Sequence, residues 1–286
     1  GSHHELRKLN QRLDLIRNAT AKSGGVYLYA NQQGCDGGRL YFDGCALIAV
    51  NGEIVVQGSQ FSLKDVDVLT AQVNLEDVRS YRGSMISRSV QASQSQPIPR
   101  IDVDFDLTVE EYHRAPSVPV NVHYHLPEEE IAYGPSCWLW DYLRRSGARG
   151  YFLPLSGGSD SSAVATIIGS MCQMVVKESA KGNQQVIHDV RRLTGKEESD
   201  YVPSDARELA NRIFCTCYMG TKNNSQTTRN RANTLADQIG SYHLNADINS
   251  VVDAMLSLFT RLTGKMPQYK VQGGTDAENS ALQNIQ

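Results

Sequence analysis

The amino-acid sequence predicts an α/β protein whose second half forms a doubly wound parallel sheet and whose first half mixes strands with helices. In the second half, apolar runs of strand length alternate with segments of helical period between residues 151 and 263. In the first half, an opening helix precedes strands and the dipeptide Asn51-Gly52, which is typical of a two-residue hairpin turn.

The composition is that of a globular protein with room for two domains. The chain has 286 residues, of which 40% are hydrophobic and 21% are charged. A formal net charge of −3 gives no electrostatic reason to expect nucleic acid or an anionic membrane as a partner. The sequence has no apolar run of membrane-spanning length and no signal-peptide pattern. Its six cysteines lack a paired C-x-x-C spacing, so reduced thiols in a cytoplasmic protein are expected.

The first half begins with an amphipathic helix. Leu9, Leu13 and Ile16 share one face of a predicted helix over 5–22, which Gly24-Gly25 ends. The further predicted elements are strands over 26–30, within 40–50, over 53–57 and over 71–75, and a helix over 76–89.

Prolines and polar residues between residues 92 and 127 predict a linker with short strands over 101–105 and 120–124. His123 and His125 would share one face of the second strand. Two histidines without a further ligand favour a structural role over a metal site. A helix with Trp138 and Tyr142 in its apolar stripe is predicted to follow.

The second half is expected to place several loops at one edge of its sheet. The predicted strands cover 151–155, 213–219 and 242–248, and the predicted helices cover 163–176, 226–239 and 250–263. Because parallel strands end at the same edge, the loops after Leu155, Met219 and Ile248 should face one pocket.

The loop Ser156-Gly-Gly-Ser-Asp-Ser161 joins the first of these strands to its helix and predicts a phosphate site. Its glycines allow close main-chain approach to an anion, and the helix N-terminus supplies N–H groups and a favourable dipole. Serine hydroxyls add donors, while Asp160 is a hard oxygen ligand suited to Mg²⁺. The loop is neither a Walker A motif nor G-x-G-x-x-G. The alternative interpretation is an ordinary Gly/Ser turn between two core elements.

A second candidate segment follows the next strand. Met219 and the polar residues up to Arg229 stand where adenine, ribose or carboxylate groups could be bound, with Arg231 also available. A polar helix-entry loop with solvated arginines is the alternative.

These segments also resemble a known family. Ser156–Ser161 resembles the pyrophosphate loop of the N-type ATP pyrophosphatases, a superfamily that includes the GMP, asparagine and NAD synthetases. The segments 31–38, 41–46 and 51–52 resemble a nitrilase-type amidase domain, and residues 217–240 resemble glutamine-dependent NAD synthetases in particular. The opening residues 1–8 and the closing residues 278–286 are similar to segments of that family as well.

The resemblance implies an architecture and a reaction. It implies part of a nitrilase-like α-β-β-α sandwich over 1–105, a linker over 106–134 and a Rossmann-like ATP pyrophosphatase domain, incomplete at its end, over 135–286. The implied reaction is amidation of deamido-NAD with glutamine-derived ammonia, through an adenylylated intermediate, with release of AMP and pyrophosphate. ATP and Mg²⁺, a cytoplasmic location and a homo-oligomeric intact protein are implied too. The family's amidase triad is expected to lie upstream of Gly1, so glutaminase chemistry is not expected from this stretch alone.

The same resemblance implies the site residues. Ser156 is the implied catalytic donor and Asp160 the implied metal ligand. The implied ATP-binding residues are Pro154, Leu155, Ser156, Gly157, Gly158, Ser159, Asp160, Ser161 and Met219. The implied substrate-binding residues are Thr221, Asn224, Ser225 and Arg229.

Two alternatives and one misleading residue complete the expectations. The chain could belong to another amidotransferase of the same superfamily, of the GMP or asparagine synthetase type, or it could be a truncated product that binds nucleotide without catalysis. Cys35 lies in a Gly-rich loop and invites the role of amidase nucleophile. Because no local base or cation activates its thiol, a structural role is favoured, and the same holds for His3 and His4.

Overall fold

The computed structural model describes residues 1–105, 114–222 and 225–285, which fall into two compact units, Gly1–Ser146 and Gly147–Gln286. The predicted linker over 106–134 lies partly outside the described residues, and a helix begins within it at Pro127. The predicted domain boundaries therefore stay a prediction. No helix in the described ranges is long and apolar enough to cross a membrane.

In the described part of the first unit, the elements are α1 (Lys8–Ser23), β1 (Val26–Tyr29), β2 (Gln33–Cys35), β3 (Tyr41–Asp43), β4 (Leu47–Val50), β5 (Glu53–Gln57), α2 (Leu75–Gly83), α3 (Ile86–Gln94) and α4 (Pro127–Ser146). Strands β1, β4 and β5 form an antiparallel sheet in the order β1-β4-β5, and β2 pairs with β3. The core of the unit packs α1 against β4 and β5 through Leu9, Leu13, Ile16, Cys45, Leu47, Ala49 and Ile54.

The hairpin prediction is confirmed. Asn51 and Gly52 have φ values of 51° and 96°, the left-handed pair that matches the twist of the two flanking strands. The turn joins β4 to β5, which are antiparallel neighbours.

Several strand and helix predictions in the first unit are wrong. Residues 71–75 do not form a strand. Gln72 bonds Ser117 through both its N–H and its C=O, and Asn74 already caps α2 by accepting from the Glu76 N–H at 3.0 Å. The helix predicted over 76–89 is two helices, which separate after Gly83. Residues 120–124 are not a strand, since the side-chain amide of Gln57 bonds both the N–H and the C=O of His123. The exposed residues 101–105 are irregular rather than a strand.

In the described part of the second unit, the elements are β6 (Tyr151–Pro154), α5 (Ser159–Ala180), α6 (Gln184–Thr194), α7 (Ala206–Ile213), β7 (Phe214–Gly220), α8 (Gln226–Ile239), β8 (Tyr242–Asp247), α9 (Asn249–Thr263), a 3-10 helix (Lys270–Gln272) and α10 (Asp276–Ile285). The three strands form a parallel sheet in the order β6-β7-β8. The predicted alternation and parallel α/β sheet are therefore confirmed, and the carboxyl ends of the three strands meet at one edge.

One face of this sheet is packed and the other carries exposed apolar side chains. Helices α5, α7 and α8 contribute buried side chains such as Met171, Leu209 and Ala236. On β6, by contrast, Phe152 is 61% exposed, although the apolar run predicts a buried strand. The strand alternates partly buried and exposed residues because the described chain covers only one of the two faces that its side chains occupy.

Candidate functional site

The Gly/Ser loop lies between β6 and α5, as the sequence predicts. The Leu155 N–H donates to the Cys217 C=O at 2.8 Å, which continues the pairing of β6 with β7 by one residue. The chain then turns at Gly157, whose φ of 75° lies in the region that favours glycine, and α5 begins at Ser159. The loop thus follows directly from the carboxyl edge of the sheet.

The N-terminus of α5 presents main-chain donors. Its cap residue, Gly158, has no side chain to bond them, and the first intrahelical bond runs from the Ser162 N–H to the Gly158 C=O at 3.1 Å. Within the described ranges, the N–H groups of Ser159, Asp160 and Ser161 have no hydrogen-bond acceptor in the protein. Three unpaired donors and the positive end of a 22-residue helix make this turn suitable for an anion.

The serine side chains line the same turn. Ser156 Oγ accepts from the Gly158 N–H at 3.2 Å and lies 3.0 Å from Ser161 Oγ. Ser156 therefore fixes the shape of the loop without bonding the N–H groups of Ser159, Asp160 and Ser161. Both hydroxyls can reorient toward phosphate oxygens, because each is a donor that rotates about its C–O bond.

Asp160 suits a divalent cation that is shared with a phosphate. Its side chain is exposed, and its Oδ1 accepts from Ser159 Oγ at 3.3 Å. The described residues contain no group of three His, Cys, Asp or Glu side chains that could hold a metal ion by themselves. Mg²⁺ commonly binds one or two carboxylates and completes its shell with water and substrate phosphate oxygens, so a single exposed carboxylate beside a turn suited to an anion fits this ion.

The ends of the other two strands lie beside one another, as predicted. The Ile248 N–H donates to the Gly220 C=O at 3.0 Å, and the Lys222 N–H donates to Asn249 Oδ1 at 3.0 Å. Met219 is 38% exposed near the end of β7, and Thr221 follows that strand. The loops after β7 and β8 are therefore held together at the carboxyl edge.

Of the predicted substrate residues, Ser225 and Arg229 have defined positions at the start of α8. Ser225 caps that helix, since its Oγ accepts from the Thr228 N–H at 3.2 Å. The Arg229 guanidinium carbon lies 5.3 Å from the centre of the Tyr218 ring, within the range of a cation–π contact. Asn224 lies outside the described residues.

Sequence reasoning missed Tyr218 and Thr228. Tyr218 is 1% exposed in β7, and its hydroxyl lies 3.1 Å from Thr228 Oγ1. A Cβ added at Gly157 would lie 2.2 Å from the Thr228 carbonyl oxygen, so the loop over 156–161, called the phosphate loop below after its predicted role, contacts the main chain of α8. The glycine pair in the sequence signals a close approach of main chain. It does not tell which element approaches.

In the first unit, Cys35 and His4 have structural partners. The Cys35 N–H donates to Asp141 Oδ2 at 2.7 Å, and burial raises the pKa of the Cys35 thiol, which opposes thiolate formation. His4 Nε2 lies 3.1 Å from Glu130 Oε2, a carboxylate that also accepts from the Arg7 N–H. These contacts support the structural roles predicted for both residues.

Two protein families match this chain, one in its first part and the other in its second part. Residues 1–83 match the family described as carbon-nitrogen hydrolase, and residues 135–273 match the family described as NAD synthase.

Curated relatives match the whole chain. It is 59% identical to a glutamine-dependent NAD(+) synthetase of Oryza sativa subsp. indica, with 100% of this chain and 39% of the relative covered. It is 57% identical to the glutamine-dependent NAD(+) synthetase of Saccharomyces cerevisiae, with 100% and 41% covered. The chain therefore spans about 40% of the length of the curated relatives that it matches.

Solved structures share the fold. A glutamine-dependent NAD(+) synthetase from Cytophaga hutchinsonii superposes with a TM-score of 0.71 at 22% identity, covering 100% of this chain and 40% of that one. A glutamine-dependent NAD+ synthetase from Acinetobacter baumannii, solved in complex with adenosine diphosphate, superposes with a TM-score of 0.63 at 19% identity and covers 100% and 39%.

Proposed function

Since the chain belongs to the family of glutamine-dependent NAD(+) synthetases, we propose that it carries the ATP-binding site of a ligase that amidates deamido-NAD to NAD. In this reaction the nicotinate carboxylate attacks the α-phosphorus of ATP, and pyrophosphate leaves. Ammonia released from glutamine then attacks the adenylylated carboxylate, AMP leaves, and the carboxamide of NAD remains.

One observation carries the proposal within the chain itself. The N–H groups of Ser159, Asp160 and Ser161 are without a protein acceptor in the described structure, at the start of a long helix and at the carboxyl edge of a parallel sheet. Donors in this arrangement bind an anion and stabilise charge that develops on a leaving group. Pyrophosphate is the leaving group of the first step, so we assign the turn to the β- and γ-phosphates.

The remaining site residues take roles from their positions. Ser156 and Ser161 present hydroxyls beside the three amides and can donate to phosphate oxygens. Met219 lies near the end of the neighbouring strand, where we place the adenosine. Thr221 follows the same strand, and Ser225 and Arg229 lie at the start of the next helix. We assign these three residues and Asn224 to the binding of deamido-NAD.

Asp160 would hold Mg²⁺ together with phosphate oxygens of ATP. When bound, the cation supplies positive charge against the triphosphate and lowers the cost of separating pyrophosphate. Asp160 would provide one carboxylate oxygen to the cation, and the hydrogen bond from Ser159 Oγ orients that carboxylate.

The first unit supports the ammonia-supplying half of the proposal. Residues 1–83 match the carbon-nitrogen hydrolase family, whose name describes the bond that glutamine hydrolysis breaks. We assign no nucleophile to Cys35, because burial raises the pKa of its thiol. The family likeness also supports a cytoplasmic location and a homo-oligomer, and sedimentation of the full-length protein would test the oligomeric state.

An activity assay of the full-length protein tests the proposal. With ATP, Mg²⁺ and ammonia, deamido-NAD should be amidated, whereas XMP and aspartate should not react. Asp160→Ala should lower amidation by at least about 100-fold, the scale on which removal of a transition-state electrostatic partner acts. Glutamine hydrolysis should persist in this variant. Unchanged amidation in Asp160→Ala would contradict the role of Asp160 as a metal ligand. Activity toward XMP or aspartate, with none toward deamido-NAD, would contradict the proposed substrate.

A further inference from the structure

Gly157 brings the phosphate loop into contact with the first turn of α8. Gly157 is buried, and a Cβ placed on it would lie 2.2 Å from the carbonyl oxygen of Thr228 and 3.0 Å from the carbonyl carbon. No side chain can separate the two backbones at this point, so the position of the loop follows the position of Thr228.

The hydroxyl of Thr228 holds that turn in place. Thr228 Oγ1 donates to the Ser225 C=O at 2.8 Å and lies 3.1 Å from the hydroxyl of Tyr218, which can donate to it. Tyr218 is fixed in β7 and is only 1% exposed. One hydroxyl therefore connects the helix turn under the phosphate loop to the buried centre of the sheet.

The same tyrosine orients the neighbouring arginine. The Arg229 guanidinium lies over the Tyr218 ring at 5.3 Å, and a Cβ at Gly220 would lie 2.9 Å from Arg229 Nη2. Arg229 is thus held against the end of β7, within the group of residues that we assign to deamido-NAD. The first turn of α8 fixes the phosphate loop through Thr228 and carries Arg229 at the next position.

We propose that Thr228 is a positioning residue, whose hydroxyl sets the placement of the phosphate loop and of Arg229 relative to the ends of the strands. The inference rests on the proposed ATP site and deepens it. Thr228 acts through Gly157 and Tyr218, so its removal changes how well the loop is held rather than which groups contact ATP.

Two substitutions at this position separate the hydroxyl from the shape of the side chain. Thr228→Val keeps the branched shape and removes the hydrogen bonds of the hydroxyl to Ser225 and Tyr218, whereas Thr228→Ser keeps the hydroxyl. Thr227→Val is the matched control, because Thr227 is the preceding residue on an exposed face of α8. Tyr218→Phe removes the other end of the bond and keeps the ring under Arg229, so it provides a second route if Thr228→Val folds poorly.

Hydrogen exchange at the bonded amides that hold the loop, those of Leu155, Gly158 and Ser162, measures how firmly it is held in the full-length protein without nucleotide. Thr228→Val should exchange about tenfold faster than the wild type, the effect expected from losing one or two hydrogen bonds, and Tyr218→Phe should show part of that increase. Thr228→Ser and Thr227→Val should exchange like the wild type. The KM for ATP should rise about tenfold in Thr228→Val and recover in Thr228→Ser.

The outcomes distinguish the two proposals. Equal exchange in Thr228→Val and the wild type would overturn the positioning role, as would equal acceleration in Thr228→Ser and Thr228→Val. A wild-type protein that binds no ATP in a calorimetric titration would contradict the proposed function, while the exchange comparison would still decide the role of Thr228.

Discussion

Two glycine-rich loops in this chain differ in what happens to their main-chain N–H groups. At the end of β2 the N–H of Cys35 donates to Asp141, and in the loop that follows, the N–H groups of Gly38 and Leu40 donate to Asp36. In the loop after β6, the N–H groups of residues 159–161 have no acceptor among the described residues. Glycine content alone therefore does not make an anion site, because a protein carboxylate can occupy the donors first.

The two loops also differ in how they are anchored. Asp141, 4% exposed on α4, holds the first loop and is itself paired with Arg144 and Arg145. The second loop is anchored from beneath, by the contact of Gly157 with the backbone of Thr228. Because this contact is made by Gly157, it leaves the N–H groups of residues 159–161 available for a ligand.

Removing the carboxylate anchor of the first loop should give the largest effect. Asp141→Ala should lower the free energy of unfolding by about 3 kcal/mol, because a buried charge pair and a bond to the Cys35 N–H are lost together. Urea unfolding followed by tryptophan fluorescence measures this change, since both tryptophans of the chain lie in α4. Asp36→Ala is the control, with an expected loss below about 1 kcal/mol because Asp36 is exposed. If Asp141→Ala lowered the free energy of unfolding as little as Asp36→Ala does, Asp141 would not be the anchor of the first loop.

Adding a methyl group to the second loop should have the next largest effect, on ATP binding. Gly157→Ala combines a left-handed φ of 75° with a contact of 2.2 Å to Thr228. Calorimetry should show ATP affinity reduced by at least about 100-fold, since the strain and the overlap each disfavour the native loop. Gly158→Ala, at a φ of −85° and 3.3 Å from Ser156 Oγ, should reduce affinity by less than about tenfold. Equal losses in the two variants would show that the backbone contact does not matter.

Ser156→Ala should produce a smaller change in the same measurement. Ser156 Oγ accepts from the Gly158 N–H and contacts Ser161 Oγ, so its removal loosens the turn without blocking it. We expect ATP affinity to fall by about tenfold, the value of one or two hydrogen bonds. Cys35→Ala, in the other loop, should leave ATP affinity unchanged. An effect of Cys35→Ala as large as that of Ser156→Ala would contradict the separate roles of the two loops.

The smallest expected effect is a shift, toward higher pH, of the range in which Cys35 becomes reactive toward alkylation. Burial raises the pKa of this thiol from its ordinary value of 9.0, so the reactive thiolate is scarcer at neutral pH than in a free cysteine. The rate of reaction with iodoacetamide, followed by peptide mass spectrometry, should increase about tenfold per pH unit and continue to rise beyond pH 9. A rate that is already maximal near pH 7 would indicate an activated nucleophile and would reopen the catalytic interpretation of Cys35.

The alternation of strands and helices in the second half could be predicted from the sequence, although α5 extends four residues beyond its predicted span of 163–176 at each end. Helices α8 and α9 agree with their predicted spans to within one residue, because a glycine marks the end of each and Ser225 caps the start of α8. The same reasoning fails over 71–75 and 120–124, where Gln72 bonds Ser117 and His123 bonds the Gln57 side chain without forming a strand ladder. Those contacts join residues far apart in the chain, and local periodicity carries no information about them.

The candidate site could be predicted from the sequence only in part. The loop from Ser156 to Ser161 has a local signature, since glycines, hydroxyls and a carboxylate all lie within six consecutive residues. Tyr218 and Thr228 have no such signature, because an apolar strand residue and a threonine near a helix start are common everywhere. Their roles arise only where β7, α8 and the phosphate loop are brought together by the fold.

A structure of the full-length protein with ATP tests the central claim most directly, which is that the turn before α5 binds the triphosphate through its own amides. The prediction is that β- or γ-phosphate oxygens lie about 2.7–3.2 Å from the main-chain nitrogens of Ser159, Asp160 and Ser161. ATP bound elsewhere, with those three nitrogens more than about 4 Å from any phosphate oxygen, would contradict it.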